Sequence, residues 1–285
     1  YGGSTYMSVL VVAEAGVNHN GDRALAERLV EAAKGAGADL VKFQTFSADR
    51  LVAKHAPLAA YQVANGESDH YEMIRRLQLD RADHENLIAC CQKNGIGFFS
   101  TGFDIESVTL LADLGQRRFK VPSGEITNLP LLRHIGSFGY DVIVSTGMAD
   151  MSEIAAALHV LEIAGTPKDR VTVLHCTTEY PAPIPEVNLS AMETIKKELD
   201  VAVGYSDHTE GFEVAVAATA LGARVIEKHL TLDRTLPGPD HRASLEPKEF
   251  ASMVSMIRKV ETAMGDGKKR PTPSELVNKK VVRRS

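Results

Sequence analysis

The chain has 285 residues, of which 44% are hydrophobic and 24% charged, and its formal net charge at pH 7 is −5. This composition is ordinary for a soluble globular protein, and the length suits one large α/β barrel. The negative charge excludes a general attraction to nucleic acid or anionic lipid, and no run approaches the roughly 20 apolar residues that span a bilayer.

The ends of the chain and its cysteines give further expectations. Residues 1–8 lack the regions of a signal peptide and are interpreted as a cloning remnant around a natural start at Met7. The basic residues 265–285 are interpreted as a solvated linker rather than a nucleic-acid-binding arm. The three cysteines, of which Cys90 and Cys91 are adjacent, form no disulfide framework. We therefore expect a cytoplasmic protein that binds neither nucleic acid nor membranes.

Apolar runs of strand length alternate with segments of helical spacing along most of the chain. The predicted strands are 10–16, 39–45, 95–101, 118–124, 141–147, 172–178, 201–209 and 225–231. The predicted helices are 22–35, 81–94, 104–114, 129–135, 152–164, 188–199, 211–222 and 246–264, with Asp22 and Ser152 as N-caps of the first and fifth. The excursion 46–80 is longer than a tight connection needs, and such loops tend to be functional lids or partly disordered.

Eight strands that alternate with eight helices predict a parallel sheet, and this length favours its closure into a (β/α)8 TIM barrel covering residues 9–264. An open doubly wound sheet is the alternative. That fold would want a glycine-rich dinucleotide turn after the first strand, and GVNHNG at 16–21 lacks the required spacing. In TIM barrels the active site lies at the carboxyl ends of the strands, so the polar residues there are the candidates.

Lysines and hydroxyl residues form the first group at these strand ends. The group consists of Lys42, Thr101, Lys120, Ser123, Ser145 and Ser206. Two lysines that face one enclosed space repel each other unless an anion lies between them, and ammonium groups with several hydroxyls suit phosphate or carboxylate oxygens. The alternative is that each lysine leaves the barrel and extends to solvent. The favoured interpretation is an anion-binding site.

Two histidines, His208 and His229, end neighbouring strands and form the second group. Because strand side chains alternate, Ser206 and His208 point to one face and Asp207 to the other. A lone strand histidine is more often a hydrogen-bonded core residue than a ligand, but two neutral imidazoles on adjacent strands can bind one divalent cation. The pair predicts an open site suited to Lewis-acid chemistry. Asp240 lies in a loop that could reach the same space.

Seven segments, in this order between about Val11 and Met264, carry a resemblance to a known family. They are AEAGVNHNG at 13–21, KFQT at 42–45, KVPSGE at 120–125, STGM at 145–148, GYSDHT at 204–209, EKHLTLD at 227–233 and PGPDH at 237–241. They resemble the bacterial sialic acid synthases, which include N-acetylneuraminate, legionaminate and pseudaminate synthases. The segment CTTEYPAP at 176–183 resembles the first two more than the pseudaminate synthases.

The resemblance implies a metal-dependent condensation of phosphoenolpyruvate with an open-chain N-acetylated hexosamine, giving a nonulosonic acid and phosphate. The acceptor would be N-acetylmannosamine or 2,4-diacetamido-2,4,6-trideoxymannose. The first group would contact phosphoenolpyruvate, and both histidines would hold Mn²⁺ or Mg²⁺. The resemblance also implies catalytic roles for Glu14, Glu125 and His229, and substrate contacts for Gln44, Tyr180 and Asp240. It further implies a homodimer.

Two departures from the family and two alternatives remain. Gly102 stands where many members have proline. Members continue into a small antifreeze-like (SAF) domain, so 265–285 would lead to a domain absent here, and this chain alone would bind sugar weakly. The alternatives are a Schiff-base aldolase with Lys42 or Lys120 as nucleophile, and a barrel that binds a sugar phosphate without catalysis. The two histidines argue against the latter, because binding alone needs no Lewis acid.

Overall fold

The computed structural model describes residues 8–51 and 70–283. Within these ranges the strands are β1 (Leu10–Gly16), β2 (Leu40–Thr45), β3 (Gly97–Gly102), β4 (Arg118–Val121), β5 (Asp141–Ser145), β6 (Val171–His175), β7 (Ala202–Asp207) and β8 (Val225–His229). They are parallel, and the order β3-β2-β1-β8-β7-β6-β5-β4 forms a nearly closed barrel. The predicted TIM barrel is confirmed, and each predicted strand is present with its ends shifted by a few residues.

Most of the helices pack around the outside of the barrel, whereas Ala48–Leu51 and His70–Arg76 lie near its mouth. In the described ranges they are α1 (Arg23–Gly35), α2 (Ala48–Leu51), α3 (His70–Arg76), α4 (Arg81–Asn94), α5 (Ile105–Asp113), α6 (Leu129–Ser137), α7 (Met151–Ala164), α8 (Ala191–Leu199), α9 (Glu213–Ala220), α10 (Pro247–Met264) and α11 (Pro273–Val282). Asp22 caps α1 as predicted. The predicted cap Ser152 is wrong: α7 begins one residue earlier, and the Asp150 carboxylate accepts from the backbone N–H of Glu153.

The inward faces of the strands form two layers. The lower layer is apolar and consists of Val12, Phe99, Ile143, Leu174 and Val225. Outward-facing residues, such as Val11 and Phe43, belong to the larger core between the sheet and the helices. Because side chains two apart share a face, the next inward positions toward the carboxyl ends form the upper layer, and they are polar. Apolar packing therefore supports the site from below.

One side chain bridges the two ends of the strand order, β3 and β4. The Gln116 amide lies in the segment that enters β4. Its Oε1 accepts from the Ser100 N–H and its Nε2 donates to the Ser100 carbonyl oxygen, both at 2.9 Å. These are the bonds that a neighbouring strand would make, so the glutamine satisfies the exposed edge of β3.

The structure at the two ends of the chain tests few of the expectations for residues 1–8 and 265–285. Residues 1–7 of the predicted remnant lie outside the described residues. Helix α11 lies within the predicted linker 265–285 and begins with a capping box between Thr272 and Glu275. The assignment of this segment as a linker to a further domain stays a prediction. No helix within residues 8–51 and 70–283 is long and apolar enough to cross a membrane.

Candidate active site

Four charged side chains occupy the upper layer inside the barrel: Glu14 on β1, Lys42 on β2, Lys120 on β4 and Glu227 on β8. All are at most 5% exposed. Strand pairing aligns Glu14 with Lys42 on one side and with His229 on the other. Buried charges need partners, and these residues supply them to one another.

The Glu227 carboxylate lies between the two lysines. Lys120 Nζ is 2.8 Å from both Glu227 oxygens, and Lys42 Nζ is 3.2 Å from Oε2. Lys42 is also 3.3 Å from Glu14 Oε2 and donates to Thr101 Oγ1 at 3.2 Å. The prediction that both lysines face one enclosed space is confirmed. Glu227 supplies a negative charge between them, so their proximity does not by itself require a bound anion, and anion binding stays a prediction.

Burial and neighbouring charges move the pKa values of this cluster in different directions. Burial raises the pKa of Glu14 to about 7, although Lys42 opposes the shift. Burial acts in the same sense on Glu227, but Lys120 and Lys42 outweigh it and hold the pKa of that carboxyl well below its usual range. Burial alone would lower the pKa of Lys42, but Glu14 and Glu227 raise it. Glu14 is thus the carboxyl that exchanges a proton near neutral pH.

The predicted hydroxyl residues surround this cluster. Ser206 Oγ donates to Glu227 Oε1 at 3.0 Å. Ser123 Oγ accepts from the Gly147 N–H at 2.9 Å, and Ser145 lines the cavity beside it. Gly147 is required there, because a Cβ would lie 2.0 Å from the Thr178 hydroxyl. These hydroxyls can reorient toward the oxygens of an anionic ligand.

The two predicted metal ligands face each other, with ring centroids 5.7 Å apart. His208 Nδ1 donates to the Thr177 carbonyl oxygen at 2.7 Å, which fixes the ring and leaves Nε2 as the ligating nitrogen. His229 Nδ1 is buried without a hydrogen-bond partner and lies 3.9 Å from Asp240 Oδ2. Burial lowers the pKa of both rings, so both are neutral near pH 7.

A cation bound by two neutral imidazoles fits this arrangement, because the buried His229 nitrogen otherwise lacks a partner. Within the described residues no group of three or more His, Cys, Asp and Glu side chains has metal-binding geometry. Two imidazoles alone would leave positions for water or substrate, and the metal site stays a prediction.

Gln44, Tyr180 and Asp240 complete the rim near the histidines. The Tyr180 ring lies 4.2 Å from the His208 ring, and Gln44 Nε2 donates to Glu14 Oε1 at 3.2 Å. Burial raises the pKa of Asp240 to about 6. Gly16, with φ +51°, allows this convergence, since a Cβ there would lie 3.2 Å from Glu14 Oε1 and 3.6 Å from Asp240 Oδ2.

Together these residues line a cavity of about 370 Å³ at the carboxyl ends of the strands. Every predicted site residue lines it except Glu125. The Glu125 carboxylate instead accepts from Asn128 Nδ2 at 2.6 Å, at the start of α6. The structure therefore gathers the predicted anion and metal residues in one space and leaves Glu125 beside it.

Comparison with known proteins identifies the family. The sequence model of the NeuB family matches residues 29–269. The chain belongs to the NeuB family. It is 52% identical to the N,N'-diacetyllegionaminic acid synthase of Campylobacter jejuni, over 97% of this chain and 83% of that protein. Against the synthase of the same name from Legionella pneumophila it is 48% identical, over 98% of this chain and 80% of that protein.

A solved structure agrees with this assignment. The N-acetylneuraminic acid synthetase of Leptospira borgpetersenii, in complex with citrate, is 33% identical and has a TM-score of 0.86. The match covers 100% of this chain and 97% of that chain. The resemblance to sialic acid synthases is confirmed, and so is the prediction that this NeuB-family chain is an enzyme.

Two features of this NeuB-family cavity escaped the sequence analysis. The sequence analysis gave Glu227 no role, although its position two residues before His229 places both on the inward face of β8. The second feature is an apolar wall. It consists of Val17, Phe46, Leu51, Met73, Ile74, Leu77 and Phe103. Most of the wall comes from the excursion 46–80, whose apolar residues have no period that signals a cavity.

Proposed function

We propose that this NeuB-family chain condenses phosphoenolpyruvate with 2,4-diacetamido-2,4,6-trideoxymannose, giving N,N'-diacetyllegionaminic acid and phosphate. The proposal rests on one cavity that contains two groups of residues. Lys42 and Lys120 form its floor, and the neutral imidazoles of His208 and His229 lie in the same space. The names and identities of the Campylobacter and Legionella relatives support the product.

The lysines and hydroxyls bind phosphoenolpyruvate. Lys42 and Lys120 point into the cavity, and Thr101, Ser123 and Ser145 surround them. Charge-assisted hydrogen bonds from ammonium groups to phosphate and carboxylate oxygens hold the enol carbon toward the sugar. Holding two reactants in attack geometry lowers the barrier by several kcal/mol. The apolar layer beneath the floor keeps the reactants at the mouth.

Glu14 acts as the base that accepts a proton from the attacking water. The enol carbon of phosphoenolpyruvate bonds to the sugar's aldehyde carbon, whose oxygen takes up a proton and becomes a hydroxyl, and water adds to the carbon that carries the phosphate. Phosphate then leaves with the oxygen that joined it to that carbon. Glu14 accepts the proton of the attacking water, and its ionised form stabilises positive charge at that carbon. A pKa of about 7 suits a group that must hold and give up a proton at neutral pH.

His208 and His229 would hold a divalent cation, Mn²⁺ or Mg²⁺. Such an ion supplies Lewis acidity toward the aldehyde oxygen of the sugar. The Thr177 carbonyl fixes the His208 ring, and Tyr180 packs against both rings, so the two nitrogens are held in place before substrate arrives.

The apolar wall favours a sugar with several methyl groups. Phe46, Met73 and Leu77 are each at most 6% exposed and line the same cavity as the histidines. The trideoxy sugar carries a C6 methyl group and a second acetamido methyl group where N-acetylmannosamine carries hydroxyls. A hydroxyl placed against this wall would lose its hydrogen bonds to water, whereas a methyl group gains by burial.

A Schiff-base aldolase is disfavoured by the contacts of the lysines. Both lysine ammonium groups are ion-paired with Glu227, whose negative charge raises the pKa of Lys42 and opposes the loss of a proton from Lys120, although burial still lowers the pKa of Lys120. Borohydride treatment with pyruvate distinguishes the two enzymes, since only an aldolase gives a covalent adduct on Lys42 or Lys120.

The deciding experiment measures phosphate release from phosphoenolpyruvate with either sugar, with Mn²⁺ or with EDTA. We expect release with the trideoxy sugar and Mn²⁺, slower release with N-acetylmannosamine, and none with EDTA. Failure of both sugars in a chain extended by the relatives' remaining sequence would refute the proposal. The homodimer and the cytoplasmic location stay predictions, which size-exclusion chromatography and cell fractionation test.

A further inference from the structure

Glu227 occupies the position between two ammonium groups where the sequence analysis expected a bound anion. Both of its oxygens are taken. Oε1 accepts from Lys120 and Ser206, and Oε2 accepts from Lys120 and lies 3.2 Å from Lys42. A carboxylate so fully bonded has no free oxygen for a substrate proton.

We infer that Glu227 is a positioning residue, a built-in counter-ion that fixes Lys42 and Lys120 and limits how tightly the cavity holds phosphate. The inference rests on the proposed function, in which phosphate is a product that must leave. It assigns Glu227 no contact with the reacting atoms. Glu227 influences phosphate binding only through its contacts with Lys42 and Lys120.

The orientation of the lysines follows from the geometry. A lysine side chain has many rotamers, and two like charges in one cavity drive each other apart. The contacts of Lys120 with both Glu227 oxygens at 2.8 Å, and the contact of Lys42 at 3.2 Å, hold both ammonium groups in the floor. The two ammonium groups are thus arranged before an anionic substrate enters.

The limit on phosphate affinity follows from charge. The floor carries two ammonium groups, and Glu227 cancels one of them, while Glu14 is partly protonated near pH 7. The cavity walls exclude water, so a negative charge beside the lysines opposes a second anion more strongly than it would in solution. Without Glu227, the site would bind phosphate more tightly and release it more slowly.

Glu227→Gln tests the inference, because it removes the charge and keeps the shape. Isothermal titration of the metal-free chain with inorganic phosphate gives the readout. We expect the Kd for phosphate to fall about tenfold or more in Glu227→Gln, and to stay near wild type in Glu227→Asp, which keeps the charge. The matched control Glu162→Gln, at an exposed position on α7, should leave the Kd unchanged. An unchanged or higher Kd in Glu227→Gln would overturn the inference.

A second pair of variants covers the case in which Glu227→Gln does not fold. Lys120→Met alone leaves Glu227 with Lys42, and Lys120→Met/Glu227→Gln removes both members of the closest ion pair. Removal of both partners is tolerated better than removal of one. The double variant should bind phosphate more tightly than Lys120→Met, and the opposite order contradicts the inference. These readouts are binding of phosphate, so they are independent of whether any sugar supports turnover.

Turnover adds a readout that a purely structural role would not move. Where Glu227→Gln folds, we expect kcat to fall and the KM for phosphoenolpyruvate to fall with it, with stronger inhibition by added phosphate. A rise in KM would show that Glu227 serves substrate binding directly, and would overturn the inference.

Discussion

The Asp207 carboxylate lies 3.2 Å from the Lys228 ammonium on the outer side of the barrel, and both side chains are fully buried. Lys228 Nζ also donates to the Thr209 carbonyl oxygen at 2.6 Å, and Asp207 Oδ1 accepts from the Thr209 hydroxyl at 2.7 Å. Each partner directly follows a cavity residue in the chain, Asp207 after Ser206 and Lys228 after Glu227. The pair therefore fixes β7 against β8 from behind the site.

Removal of either member of the Asp207–Lys228 pair leaves the other as a buried charge without its partner. We expect Asp207→Asn and Lys228→Met each to lower the free energy of unfolding by about 3–5 kcal/mol, and the double variant to lose clearly less than the sum. Urea unfolding of the four proteins measures this cycle. Additive losses would show that the two side chains do not interact.

Glu14→Gln tests the proton carrier. Loss of a general acid–base group lowers rates by about 10²–10⁴-fold. We expect kcat to fall in that range and the KM for phosphoenolpyruvate to change less than in Glu227→Gln, because Glu14 contacts one of the two binding lysines whereas Glu227 contacts both. Steady-state phosphate release measures both constants. A variant with wild-type kcat would assign the proton transfer to another group.

Glu14 also makes stability depend on pH. Its pKa is raised from 4.5 to about 7, so between these values the folded chain holds a proton that the unfolded chain has lost. The contribution of Glu14 to the free energy of unfolding therefore falls as pH rises through this window, by an amount on the order of 3 kcal/mol. Urea unfolding in EDTA from pH 4.5 to 7.5 should show a difference between wild type and Glu14→Gln that changes with this sign. A constant difference would contradict the shift.

The histidine pair is tested by metal binding. We expect His208→Asn and His229→Asn each to weaken Mn²⁺ binding by at least about tenfold, since two imidazoles are the protein ligands that the site offers. His159→Asn, at an exposed position on α7, is the matched control and should bind Mn²⁺ as wild type does. Titration followed by electron paramagnetic resonance of free Mn²⁺ measures the affinity. Equal affinity in all four proteins would exclude this site.

The apolar wall is tested by the choice of sugar. Met73→Gln places a polar group in the wall, and we expect the ratio of kcat/KM for the trideoxy sugar over N-acetylmannosamine to fall by about tenfold, the lower range for a methyl-sized contact. Met256→Gln on α10, where Met256 is 46% exposed, makes the same change elsewhere and should keep the ratio. An unchanged ratio in Met73→Gln would show that other residues select the acceptor.

The sequence predicted what depends on local pattern. The alternation of strands and helices identified the barrel, and strand ends identified Lys42, Lys120, His208 and His229 as neighbours. The sequence did not predict which charged residues form ion pairs. Lys120 and Glu227 come from different strands, and they meet inside the barrel although they are 107 residues apart in the chain. Nor did the sequence predict the apolar wall, because packing of the excursion 46–80 against the mouth of the barrel produces no periodic pattern of apolar residues. The position of Glu125 beside the cavity follows from the short turn after β4, which strand alternation does not describe.

The Gln116 side chain joins β3 to the segment that enters β4, which is the place where the strand order of the barrel begins and ends. Thr101 and Lys120 stand on the two strands that flank this join, so these two hydrogen bonds help to set the spacing between the two halves of the anion site. Exchange of the Ser100 amide hydrogen for deuterium reports whether that join opens. Widening at this single place would separate Lys120 from Lys42 without unfolding any strand.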